Sequence, residues 1–483
     1  MELAGKLAIS PSYLNLIEHN QRPLTAALLV KVAQMFRVEL DAFGDDGEGR
    51  LAADLQEIFS DPLFEEHPLT TGDLRELAAN PAMARAVMAL YHNYKSTSET
   101  TRALSSKLYD GRDFLGLDPQ HLPSEEVSDI LQDNLNFFPE LEAAAEAVRS
   151  RVGPDRGDLF GGLTRLLREE RGIEVIIERH TSGQAAVRRY DPEHRKLFLS
   201  ENLSFPSRLF QLAHQIGLLA ANEVIDTIVG RSRLTTADSR TLCRVALANY
   251  FASAVIMPYD EFLMSAEAMR YDIELLCQRF GVSFEQVCHR LTTLRRPDAA
   301  GVGFHFVRVD VAGNISKRFS GTGIRFARFS GSCPRWDVHS AFLTPGQIRV
   351  QISKMPDGTA YFCVARTVRK SYGGYGAPDT LMAVGIGCSV REARKLVYAD
   401  GMELQNLDTA VPIGTTCRLC ERLDCQQRAF PALQHGLTVD ENIRGVSFYT
   451  SPAAAAAAAT AAAESVIVKS TSRKPRRRAA TDR

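Results

Sequence analysis

The chain has almost no net charge: 57 Lys and Arg stand against 58 Asp and Glu over 483 residues, a balance of -1 at pH 7. So neutral a molecule exerts no global attraction on nucleic acid, and any DNA binding has to come from a local surface. Long apolar runs are also missing. No stretch of about 18 apolar residues offers a membrane span, and the alanine run from Ala453 to Ala463 is too short and too weakly apolar to serve as one. Met1 is followed by Glu2, Leu3 and Ala4 rather than by a basic start and an apolar core, so no signal peptide is expected. There is no internal repeat, and cysteine is sparse, nine in all. These absences point to the cytoplasm, where thiols stay reduced and clustered cysteines favour metal or redox roles over disulfides.

What is present is length for about three domains, at roughly 150 residues each. The first 43 residues read as helical. Ser10 is a good N-cap, and Pro11 suits the first helical position, where its missing N–H costs nothing. Asp45 to Gly49 reads as an acidic linker. Helical patterning continues to Val152. Helix 159–170 leads into strands at 173–177, 186–190 and 197–199, then helices at 207–222, 237–256 and 260–294. After Gly301 the pattern turns to strands, at 304–309, 348–352, 361–367 and 382–386.

Ile9-Ser10-Pro11-Ser12-Tyr13-Leu14-Asn15-Leu16-Ile17-Glu18 resembles the recognition helix of the lambda-repressor-like (XRE) helix-turn-helix family. That resemblance implies Ser12, Tyr13 and Asn15 as base-facing residues and Arg22 as a phosphate contact. The family's first helix is missing ahead of Leu3, which we expect to reflect a start set too late. From Met1 to Phe43 four acidic residues balance four basic ones, so the local positive footprint is weak.

Ser207 to Gly217 resembles the zinc helix of ImmA/IrrE-type peptidases, whose His-Glu-x-x-His places two zinc ligands one turn apart with the Glu as general base. His214 is kept, but Gln215 replaces the Glu and Leu218 the second His. Ala248-Asn249-Tyr250-Phe251-Ala252 resembles the second family helix, yet Val245, Ala246 and Leu247 supply no acidic ligand. One histidine does not hold a catalytic zinc and Gln does not deprotonate water, so no catalytic residues and no peptidase activity are expected.

Cys417-Arg418-Leu419-Cys420-Glu421-Arg422-Leu423-Asp424-Cys425 lets one loop present three sulfurs to one centre. The fourth ligand is first sought at Cys388, in Gly385-Ile386-Gly387-Cys388, and second at Cys333. Thiolates suit zinc and iron–sulfur clusters alike, and spacing does not separate them. Cys243, Cys277, Cys288 and Cys363 read as ordinary buried thiols.

Taken with Gly331-Ser332-Cys333-Pro334-Arg335-Trp336, Ile386-Gly387-Cys388 and Arg428-Ala429-Phe430-Pro431, these features resemble the short-chain fatty acyl-CoA-responsive regulators. They include regulators of methylcitrate (propionate) and glyoxylate genes. The resemblance implies operator DNA, a short-chain acyl-CoA such as propionyl-CoA or acetyl-CoA, and in some members a 4Fe-4S cluster; zinc stays open. A homodimer is expected, since such readers address paired half-sites. A sensor working through protein contacts without DNA is the alternative.

The expected fold class is multidomain α+β. A truncated all-α helix-turn-helix covers 1–44, a helical linker or dimerisation region 51–152, and a degenerate peptidase-like α+β domain 153–297. A mixed α/β ligand and cysteine-cluster domain covers 298–450, and a disordered Ala-rich and basic tail 451–483. CoA carries a pyrophosphate and a 3′-phosphate, which call for Arg and Lys. Arg308, Lys317, Arg318, Arg325 and Arg328 gather around the Gly313 and Gly321-Thr322-Gly323 turns. Arg188 and Arg189 are further candidates, and Tyr250 is placed against the acyl or pantetheine arm.

Overall fold

A computed structural model describes residues 9–10, 13–14, 28, 35, 46–64, 67, 69–109, 123–153, 158–178, 187–327, 332–370, 379–422, 424–432, 447 and 449. Ser12, Asn15, Arg22, Arg328 and the tail 451–483 lie outside the described residues. The chain divides into two units, Met1–Met88 and Ala89–Arg483.

In the first unit the Ser10 cap forms as expected: its Oγ accepts the Tyr13 N–H at 3.1 Å, and its carbonyl accepts the Leu14 N–H at 3.0 Å. Helices α1 (Asp46–Ile58) and α2 (Thr71–Ala78) follow, and α3 (Pro81–Tyr109) contains the boundary between the units. The expected linker at 45–49 is corrected here, because α1 begins at Asp46. Leu55, Ile58, Leu74, Ala78, Ala84 and Met88 are buried, and Thr70 and Asp73 close a reciprocal capping box.

The second unit is α+β. Helices α4 (Pro123–Asp133), α5 (Pro139–Val152) and α6 (Leu159–Arg171) lead into β1 (Glu174–Glu178), β2 (Arg188–Asp191) and β3 (Lys196–Ser200). These strands pair in the order β1-β3-β2, β1 parallel and β2 antiparallel to β3. Next come α7 (Phe205–Ala220), α8 (Asn222–Arg231), α9 (Ala237–Ile256), α10 (Tyr259–Ala268), α11 (Ile273–Phe280) and α12 (Phe284–Leu291). Gly217 lets α7 lie close on α9, since a Cβ there would stand 2.7 Å from the Phe251 ring. Residues 51–152, one helical stretch by sequence, are divided: α4 and α5 bury Val127, Ile130, Leu141 and Val148 in the same core as α9.

A six-stranded sheet completes the unit. Its strands are β4 (Phe304–Asp310), β5 (Ile315–Ser320), β6 (Arg349–Lys354), β7 (Ala360–Lys370), β8 (Thr380–Ser389) and β9 (Val411–Pro412), in the order β5-β4-β8-β7-β6-β9. Alternation along the strands splits the core in two. Phe304, Phe306, Phe362, Val364, Ile386 and Cys388 face the helices and extend their core. Val307, Val309, Tyr361, Cys363 and Ala365 face the other way, under Cys333, Trp336, Val338 and the short helix α13 (Asp337–Ser340). No single described helix is long and apolar enough to cross a membrane; the apolar pair α9–α10 is bent by 66° and buried in this core.

Candidate functional site

The cysteine loop leaves β9 and is tied to the sheet by arginine. Arg422 donates to the carbonyls of Lys354 at 2.8 Å and Ile413 at 3.3 Å. Arg428, nearly buried, donates to the carbonyls of Cys417 (2.5 Å), Cys420 (2.7 Å), Phe430 (3.3 Å) and Arg422. One guanidinium thus gathers the backbone around two of the three thiols, a task its five forked donors suit. The Ala429 N–H points at Cys417 Sγ, 3.4 Å away. Gly414 is needed beneath the loop, because a Cβ there would lie 2.8 Å from Cys420 Sγ.

Cys333 lies beside this loop. Its N–H donates to Thr415 O at 3.0 Å, and Trp336 Nε1 donates to Gly414 O at 2.9 Å. Burial raises the Cys333 thiol, and the neighbouring Cys417 and Cys420 raise it further. Cys388, the first choice by sequence, is corrected: it faces the helical core between Phe304 and Phe362, on the opposite side of the sheet from Cys333. Burial pushes it up to about 12. Among the described residues no three Cys, His, Asp or Glu side chains converge closely enough to hold a single metal ion.

A second feature sits where β4, β5 and β7 meet α12. Arg308 and Lys317 are direct cross-strand partners, a like-charge pairing that is unfavourable by itself. Glu285 of α12 resolves it. Its carboxylate accepts from Arg308 Nη1 at 2.7 Å and Lys317 Nζ at 3.3 Å, and pairs with Lys370 Nζ at 2.8 Å. Burial alone would raise the Glu285 carboxyl, but Lys317, Lys370 and Arg308 hold it at about 2. Three cations around one carboxylate leave two positive charges in excess. Sequence reasoning missed Glu285 and Lys370; apart from their charge, nothing local marks them. Arg318 turns to the other side and pairs with Glu125 of α4, while Arg325 is exposed beyond β5.

The peptidase-like centre is rebuilt. His214 of α7 is buried, its Nδ1 accepts from Arg188 of β2, and the ring also bonds to the Val245 backbone. Burial and Arg188 lower its pKa to about 4, so the ring is neutral. Burial lowers Arg188 itself to about 10. Arg189 lies over the Phe198 ring at 4.0 Å.

Tyr250, placed by sequence against the acyl or pantetheine arm, lies in the interior. It is buried, donates to Glu142 Oε1 at 2.6 Å, and accepts from the Phe138 N–H at 3.3 Å. Glu142 is held in turn by Arg290. On the outer face of the large sheet a small cavity is lined by His305, Phe326, Trp336, Asp337, Ser353 and Cys363. Asp337 Oδ2 has no partner there among the described residues, and burial raises its carboxyl to about 7.

Two family models match this architecture: the IrrE N-terminal-like domain over residues 168–292, and the C-terminal domain of the short-chain fatty acyl coenzyme A regulators over 293–449. The HTH-type transcriptional regulator RamB of Mycobacterium tuberculosis is 42% identical over 451 residues, which is 92% of this chain and 94% of RamB. The propionyl-CoA carboxylase regulator of Cereibacter sphaeroides is 41% identical over 447 residues, covering 92% of this chain and 94% of the relative. A solved structure described as a Mycobacterium tuberculosis transcriptional regulator superposes with a TM-score of 0.65 at 45% identity, over 67% of this chain and 98% of that one. The chain belongs to the short-chain fatty acyl coenzyme A regulator family of transcriptional regulators.

Proposed function

We propose that this chain is a DNA-binding regulator whose larger unit senses a short-chain acyl-CoA, with propionyl-CoA and acetyl-CoA as the first ligands to test. The observation that carries the reading is the excess of positive charge where Arg308, Lys317 and Lys370 surround Glu285. A phosphate bound there would complete the neutralisation that one carboxylate leaves unfinished. A second support is the relative whose name ties it to propionyl-CoA carboxylase. Acyl-CoA controls DNA binding if it has different affinities for the DNA-competent and incompetent conformations. Paired half-sites make a homodimer the natural binding form.

In the same reading Cys333, Cys417, Cys420 and Cys425 hold a 4Fe-4S cluster, with zinc as the alternative. An all-thiol donor set supports either. The Ala429 N–H directed at Cys417 Sγ is the kind of contact that tunes a cluster's potential. When bound, such a cluster supplies a one-electron redox input. The protein's part is done by Arg428, which fixes the loop backbone, and by Trp336, which ties the loop to the sheet.

The deciding experiment is a gel shift with the gene's own upstream region, with and without propionyl-CoA. A complex whose midpoint moves at least threefold with the thioester, and not with free CoA, supports the proposal. A protein that binds propionyl-CoA but no DNA would favour a sensor acting through protein contacts.

A further inference from the structure

In the peptidase scaffold that residues 168–292 match, zinc is held by two histidines one turn apart, with an acidic residue from the next long helix completing the set. The corresponding positions here are His214, Leu218 and Val245, so two of three ligands are hydrocarbon. The surviving histidine has no lone pair to give. Its Nδ1 accepts a hydrogen bond from the Arg188 guanidinium, and the ring also bonds to the Val245 backbone. These residues do not fit a zinc ion.

What stands against His214 instead is a cation of another kind. Arg188 reaches in from β2, which is held antiparallel against β3 with Arg188 opposite Leu199. Its polar partner among the described residues is His214, and no carboxylate neutralises it. A guanidinium set into a protein without a counter-ion is costly. Arg188 differs in this from Arg290 and Arg308, which both rest on glutamates.

We propose that the Arg188 guanidinium takes the place of the metal ion beside His214 and supplies a permanent positive charge there. It does not generate a hydroxide, because a guanidinium binds no ionisable water. Its response is independent of zinc supply.

The test uses the full-length protein with the ligand set rebuilt by Gln215→Glu, Leu218→His and Val245→Glu. One version keeps Arg188 and the other adds Arg188→Leu; circular dichroism establishes that both are folded. Cobalt(II) is the probe, read by its tetrahedral visible absorption bands. The version with Arg188→Leu is expected to bind cobalt at least tenfold more tightly than the one that keeps Arg188. Arg188→Lys in the same background is expected to keep the ion out. Equal affinity with and without Arg188, or no binding in either, overturns the proposal.

Discussion

Arg290 and Glu142 meet through two hydrogen bonds, 2.6 and 3.0 Å long, in the interior where α5, α9 and α12 pack. Arg290 is fully buried and Glu142 nearly so. The rest of the guanidinium is satisfied by Met257 O at 2.9 Å and Thr293 Oγ1 at 3.0 Å, and Tyr250 caps the carboxylate. Buried charge is stable here because nearly every donor has an acceptor.

Removing one partner should therefore be worse than removing both. Glu142→Ala is expected to cost about 3–5 kcal/mol in urea unfolding, because it strands Arg290. The combined Glu142→Leu and Arg290→Met variant is expected to lose less than Glu142→Ala does. A double variant less stable than the single one contradicts this account.

Around Glu285 the sign of the effect is the discriminating feature. Lys317→Ala with Lys370→Ala is expected to weaken propionyl-CoA binding at least tenfold in calorimetry. Glu285→Gln removes the competing carboxylate, so affinity is expected to rise several-fold at low salt and to fall more steeply as salt is added. Unchanged affinity in both variants would place the phosphates elsewhere.

The two candidate fourth thiols can be told apart directly. Cys333→Ser is expected to lower the iron or zinc content of anaerobically purified protein by at least half and to bleach any broad blue-violet absorbance. Cys388→Ser, behind the sheet, is expected to leave both unchanged. The reverse pattern would return the fourth ligand to Cys388.

Asp337 gives a pH signature. Its carboxyl is raised from 3.8 to about 7 by burial. Between those values the folded protein keeps a proton that the unfolded chain has lost, so stability falls as pH rises from about 4 to about 7. Asp337→Asn is expected to flatten that part of the stability profile and to raise the melting temperature at pH 8. A profile with the wild-type slope retained would show that Asp337 is ionised in the fold.

The sequence by itself determined what is local. Ser10 caps its helix because the bond it makes spans three residues. Cys417, Cys420 and Cys425 share one loop because nine residues leave them nowhere else to be. The missing acid base and second histidine are substitutions at fixed spacing along a helix, so their loss is read without coordinates. Helices and strands also follow from period, apart from α1, where acidic residues that look like a linker open a helix.

Only the tertiary structure decided which face of the sheet Cys333 and Cys388 each take, what neutralises Arg308 and Lys317, and where Tyr250 points. Each depends on the face a strand residue takes and on which strands become neighbours. Side chains alternate faces at every residue, so a single step sends Phe362 into one core and Cys363 into the other. Glu285 and Lys370 meet Lys317 across three separate elements, and Glu142 meets Arg290 across 148 residues. Such partners are selected by packing and charge compensation in the folded chain, and no periodicity in the sequence records them.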